Sequence, residues 1–92
     1  MSPVGAAVVP RIAAKARLQW DDVRKRHVVL YPEGLVILNP TGAEILGLCD
    51  GLRSLADIVA TLEQRYGATG LEPDVSTLLD GLAAKGLVLY GP

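Results

Sequence analysis

Two periods of apolar residues divide the chain. Arg17-Leu18-Gln19-Trp20 alternates polar and apolar side chains, the period-two pattern of a half-buried strand with Leu18 and Trp20 turned toward a core. Asp21-Asp22 closes it. The runs His27-Val28-Val29-Leu30-Tyr31 and Leu35-Val36-Ile37-Leu38 are β-branched and aliphatic, and Pro32-Glu33-Gly34 separates them. Proline presets the first corner of a tight turn and glycine accepts the left-handed backbone at its end, so the pattern predicts an antiparallel hairpin.

After Asn39-Pro40 the spacing becomes helical. Thr41 and Glu44 have capping-box spacing, Ile45, Leu48, Cys49 and Leu52 follow on one face, and Gly51 is placed to stop the helix. Ser54 and Asp57 repeat the capping signal ahead of Leu55, Ile58, Val59, Leu62 and Tyr66, a stripe that ends at Gly67. Ala68 to Leu71 reads as a loop. A third helix from Pro73 to Lys85 carries Val75, Leu78, Leu79 and Leu82, with Lys85 at the negative end of its dipole and Gly86 as the stop. Leu87 to Tyr90 reads as an extended tail. The expected fold is α+β and winged-helix-like: three short N-terminal antiparallel strands followed by a three-helix bundle. Met1 to Lys15 shows no sustained period and is expected to be a mobile arm, leaving residues 16–92 as a single domain.

The length of 92 residues suits one core. Half the residues are apolar, yet no uninterrupted apolar run exceeds that of Leu35–Leu38, far short of the roughly 20 residues a membrane helix needs. The apolar patch from Val4 to Val9 has no cationic segment before it and is bounded by Pro3 and Pro10, unlike a secretory signal, so a cytoplasmic location is expected. One cysteine, Cys49, and one histidine, His27, provide neither a disulfide nor a zinc-ligand cluster; no metal or cofactor is expected. Nine basic against ten acidic residues give a net charge of -1, which disfavours nucleic acid as a partner.

Catalysis needs a nucleophile, a base and an orienting group in one pocket, and the candidates are scattered. His27 begins a strand beside Lys25 and Arg26, where a solvated imidazole is the ordinary state. Cys49 lies on an apolar stripe and reads as a small hydrophobe. Glu44 and Asp57 read as caps, Glu33 as a turn residue, and Asp21, Asp22 and Asp80 as solvated. Arg24-Lys25-Arg26 is the one basic run, read as an exposed loop or a protein contact, and Trp20 as a core or interface anchor. An enzyme is not expected.

The ordered set Arg17-Leu18-Gln19-Trp20-Asp21, Arg24, His27, Leu30-Tyr31-Pro32-Glu33-Gly34, Leu38-Asn39, Glu44-Ile45-Leu46, Leu48-Cys49-Asp50-Gly51, Asp74-Val75 and Lys85-Gly86-Leu87 resembles the PqqD family of pyrroloquinoline quinone (PQQ) biosynthesis, from about Ala16 to Leu89. The resemblance implies a RiPP recognition element, a winged-helix-like peptide chaperone that captures the leader of a ribosomally made peptide. The implied partners are the precursor peptide PqqA and the radical SAM enzyme PqqE, which cross-links a glutamate and a tyrosine of that peptide. Iron–sulfur clusters and S-adenosylmethionine would belong to the enzyme.

The resemblance also implies that the ligand adds to a sheet edge by β-augmentation. Carried onto this chain, the strand is Leu35 to Asn39 and the facing helix about Pro73 to Lys85. The candidate peptide-binding residues are Leu35, Val36, Ile37, Leu38, Val75, Leu78, Leu79 and Leu82, some of which must face the core instead. Alternation separates Leu35 and Ile37 from Val36 and Leu38 without saying which pair faces the groove. Trp20, Asp21, Arg24, Lys25 and Arg26 are the candidate enzyme contact. An exposed edge also makes a homodimer by strand exchange conceivable. The alternative reading is a winged-helix DNA-binding regulator, opposed by Glu72, Asp74 and Asp80 against one lysine on the third helix.

Overall fold

The two hydrophobic periods produce a fold of two small sheets around a layer of helices. The computed structural model describes residues 7–91, in the order β1 (Val9–Ile12), β2 (Arg17–Asp21), β3 (Arg26–Tyr31), β4 (Gly34–Ile37), α1 (Pro40–Gly47), α2 (Leu55–Tyr66), α3 (Glu72–Ala84) and β5 (Val88–Gly91).

The strands β2, β3 and β4 form an antiparallel meander. The pairing of Tyr31 with Gly34 leaves Pro32 and Glu33 as a two-residue hairpin loop, and Gln19, Val28 and Ile37 fall in line across the three strands. At the other end the Asp21 carboxylate accepts from the backbone N–H groups of Val23 and Arg24, both at 3.0 Å, and Lys25 takes the left-handed backbone at φ 56°. These bonds, joined by the Arg24 guanidinium, hold the Asp21 carboxyl below its ordinary range.

The helix ends match the sequence expectation in two cases out of three. Ser54 and Asp57 exchange side-chain and backbone bonds in a complete capping box, and Gly67 closes α2 at φ 62°. Pro73 lies in the first turn of α3, and Gly86 follows its end at φ 73°. The first helix differs. Asn39, not Thr41, is the N-cap: its side-chain oxygen accepts from Gly42 N–H at 2.7 Å, with Pro40 at the first helical position. Thr41 and Glu44 therefore lie inside the helix, and Glu44 reaches across to Arg65 and Tyr66. The helix also ends earlier than Gly51, at Gly47; Asp50 then ties the following turn by accepting from Leu52 and Arg53 N–H.

The largest departure from the sequence expectation is β1, which lies within the expected arm. Val9–Ile12 pairs antiparallel with β5, bringing Pro10 opposite Tyr90. Its other edge is occupied as well, because Leu55 N–H donates to Val8 at 2.8 Å and Gly51 N–H to Pro10 at 3.3 Å. A four-residue strand containing proline has no readable period, and partners some eighty residues away supply its order. Residues 1–6 of the expected arm, and the final residue 92, lie outside the described residues.

Leu46, Leu55, Ile58, Leu62, Leu79 and Leu87 form the centre of the core between the helices, and Val29, Leu38 and Val88 bring both sheets onto it. Each such side chain contributes about 1.5–3 kcal/mol by leaving water. Cys49 is buried among them, its thiol pushed up to about 12 by desolvation, and is therefore a neutral packing group.

Candidate functional site

The meander has two edge strands, β2 and β4, and β4 is the one that runs on into α1. Leu38 N–H donates to the His27 carbonyl at 2.9 Å, so residue 38 turns its main-chain groups toward β3, as does Gly34 opposite Tyr31 in the hairpin. Main-chain groups alternate in direction along an antiparallel pair. Val36 therefore also bonds inward, and Leu35 and Ile37 present their N–H and C=O groups at the free edge.

Side chains alternate too, and the packing decides the face that the sequence left open. Val36 and Leu38 face the helices, with Leu38 only 3% exposed, whereas Ile37 is 51% exposed on the opposite face together with Leu35. Of the helix candidates, Val75, Leu79 and Leu82 are core residues, Leu79 being 0% exposed. Leu78 alone of that stripe is half-buried and accessible. Among the eight peptide-site candidates, Leu35 and Ile37 thus offer main chain at the edge, Val36 and Leu78 offer side-chain surface, and the other four support them from beneath.

The helix N-terminus that follows β4 extends this edge into a cleft. A Cβ placed on Gly42 would lie 3.6 Å from Leu78 Cδ2 and 3.7 Å from Leu38 Cδ2, so the start of α1 brings the end of β4 and α3 together. Asn39, Thr41, Gly42, Ile45, Asp74 and Leu78 line an open cleft of about 310 Å³. It adjoins a more apolar one of about 270 Å³, which shares Thr41, Ile45 and Asp74 and is walled by Leu62, Tyr66, Leu71 and Val75. The Tyr66 hydroxyl donates to Glu44, which holds the tyrosine hydroxyl above its ordinary pKa and, with Arg65 at 2.9 Å, the Glu44 carboxyl below its own. Sequence reasoning missed Thr41, Gly42, Ile45, Leu62, Tyr66, Leu71 and Asp74 as cleft residues. The Asn39-Pro40 pair was the available signal, since it marks where a strand becomes a helix N-terminus.

The candidate enzyme contact lies at the far end of the meander. Trp20 and His27 stack edge to face at 5.0 Å between centroids, and together with Lys25, Arg26, Leu38 and Pro40 they line a cleft of about 360 Å³. Arg24 and Lys25 are engaged by Asp21 at 2.6 Å and Asp22 at 2.9 Å. The five candidates therefore do not share one cleft: Trp20, Lys25 and Arg26 line it, while Asp21 and Arg24 stabilise the turn beside it. Among the described residues no group of three or more histidine, cysteine or carboxylate side chains is placed to hold a metal ion, and no helix is long and apolar enough to cross a membrane.

The site is thus an unpaired strand edge beside an apolar cleft in a small α+β domain. Comparison with known proteins gives the family: the chain belongs to the coenzyme PQQ synthesis protein D (PqqD) family, whose model matches residues 26–88. It is 47% identical over 72 residues to the PqqA binding protein of Methylococcus capsulatus, covering 78% of this chain and 77% of that one. Its identity to the PqqA binding protein of Azotobacter vinelandii is 45% over 73 residues, covering 78% and 79%. The fold matches the solution NMR structure of the PqqD truncation of Methylobacterium extorquens PqqCD, described as a functional, stand-alone RiPP recognition element, with a TM-score of 0.82, 33% identity and 96% coverage of each chain.

Proposed function

We propose that this protein is a non-catalytic peptide chaperone of PQQ biosynthesis that binds the precursor PqqA by β-augmentation on β4 and presents it to the radical SAM enzyme PqqE. The observation that carries the reading is the open edge at Leu35 and Ile37, whose main-chain groups lie beside the cleft that Leu78 and the start of α1 line. Backbone pairing alone is short and sequence-tolerant, and ordering a flexible peptide costs about 2–5 kcal/mol. The apolar clefts between α1, α2 and α3 are suited to supply the remaining affinity through one or two apolar anchors. The names of the M. capsulatus and A. vinelandii relatives support PqqA as the ligand.

The finer parts of the reading are the winged-helix-like character of the helices and meander, action in the cytoplasm, and enzyme docking that includes the turn at Trp20, Asp21, Arg24, Lys25 and Arg26. Dimerisation through the same β4 edge would compete with the peptide, so the working form is taken as the monomer. Calorimetric titration of the full chain with PqqA tests the core claim. Saturable binding is expected, with Ile37→Pro abolishing it in a protein that keeps its native amide spectrum. An Ile37→Pro protein that folds and binds as well as the wild type would remove β-augmentation on this edge. Charge reversal at Arg24 and Lys25 that leaves PqqE docking unaltered would remove the turn from the enzyme contact.

A further inference from the structure

The more apolar of the two adjoining clefts has a fixed floor and two walls that side chains outside it hold in place. Ile45, Leu62 and Val75 make the floor and are buried in the core. The walls are less constrained by packing. Tyr66, the last residue of α2, is 50% exposed, and Leu71 lies in the connection to α3, directly after Gly70 at φ 74°. Each wall is tied by one carboxylate. Glu44 of α1 accepts from the Tyr66 hydroxyl, while Arg65 holds the same carboxylate at 2.9 Å. Glu63, in the last turn of α2, accepts from Leu71 N–H at 3.1 Å. One tie joins α1 to the end of α2, and the other joins α2 to the start of α3.

We infer that Glu44 and Glu63 are positioning residues for peptide recognition: they hold Tyr66 and Leu71 as the walls of a pocket that takes one apolar side chain of the bound peptide. The inference rests on the proposed peptide reading. Continuity selects the occupant, because this cleft shares Thr41, Ile45 and Asp74 with the one beside the end of β4, so a side chain of a strand lying there enters it without leaving the site. The aliphatic floor makes that side chain an apolar one. Folding gains little from the ties, since an ion pair as open to solvent as that of Glu44 with Arg65 adds little stability. What the ties remove is freedom. A half-exposed tyrosine at a helix end and a leucine behind a left-handed glycine would otherwise have to be ordered when the ligand binds, and that ordering weakens affinity. Here both are in place before the peptide arrives.

The test is the affinity of PqqA for the full chain and its variants, each checked for a native amide spectrum. Glu44→Ala and Glu63→Ala should each lose about three- to tenfold, the effect of one released wall, whereas Glu44→Gln and Glu63→Gln keep an accepting oxygen and should stay within about twofold. Tyr66→Phe should match Glu44→Ala, and combining the two should add no further loss, because both cut the same tie. Tyr66→Phe keeps the ring and carries the test if an alanine variant fails to fold. An alanine scan of the apolar residues of PqqA gives the readout that a merely structural role would not move. One peptide position should cost about tenfold or more against the wild type and about twofold or less against Tyr66→Ala. Wild-type PqqA affinity in the folded variants would overturn the inference, as would a scan in which Tyr66→Ala reduces the cost of no position. Slowed amide exchange at Leu35 and Ile37 in those same complexes would leave strand addition standing. A wild type that binds no PqqA, with or without PqqE, would overturn both.

Discussion

The two sheets are built from strands of similar length and opposite fate. In the β1–β5 ladder every edge of β1 is occupied, by Tyr90 and its neighbours on one side and by Gly51 and Leu55 on the other. In the meander, β4 pairs on one side only. A short strand is expensive to leave unpaired and invites addition of another chain, so natural sheets cover or blunt their edges. The first sheet does so with the chain's own loop. The second leaves β2 and β4 each unpaired on one side, and on the proposed reading β4, beside the cleft, is where a ligand strand would find both hydrogen-bond partners and apolar anchors.

The core beneath the comparison sets the largest effect. Leu79→Ala removes a fully buried side chain under the groove and should cost about 2–5 kcal/mol in urea unfolding, whereas Leu78→Ala, on a half-buried side chain beside it, should cost less and weaken PqqA binding instead. Equal destabilisation by the two would erase the division between support and surface. Proline scanning then separates the two edges of β4. Val36→Pro deletes a donor paired with β3 and should destabilise by roughly 1–3 kcal/mol through the carbonyl it orphans, while Ile37→Pro should leave stability nearly intact.

Asn39→Ala should cost about 1 kcal/mol, measured by thermal unfolding, because it removes the cap that joins β4 to α1. A loss near zero would mean that Pro40 alone sets the helix start. The smallest effects are electrostatic. The carboxyls of Asp21, Glu44 and Asp50 are lowered in the fold, Asp50 chiefly by Leu52 N–H, so their contribution is present above the ordinary carboxylate range and is lost as pH falls through their depressed values. Stability measured by denaturant titration should therefore hold from pH 7 to about 5 and decline below about 4. Cys49 has the opposite sign, since its raised thiol favours the fold below the unfolded value and the advantage is lost on going from about 9 to about 12.

Much of this was legible because its causes are local. The hairpin at Pro32-Glu33-Gly34, the Ser54–Asp57 cap and the stripes of α2 and α3 each place their signal within one element. The β1–β5 ladder was not, because Pro10 finds order only opposite Tyr90, and no local pattern encodes that meeting. For the same reason Thr41 and Glu44 read as a cap: the competing partners Arg65 and Tyr66 lie on another helix. The site shows the same limit. Periodicity located β4 and α3 but could not tell Leu78 from Leu79, since both belong to one apolar stripe and only the placement of α1 puts Leu78 beside the cleft.

The most direct test of strand addition is residue-resolved amide hydrogen exchange with and without saturating PqqA. In the free protein Val36 and Leu38 should already be protected by β3, while Leu35 and Ile37 exchange freely. Bound peptide should slow Leu35 and Ile37 selectively and leave the other two nearly unchanged. A protein that binds PqqA without protecting Leu35 and Ile37 would contradict the account, because the peptide would then be held somewhere other than the open edge of β4.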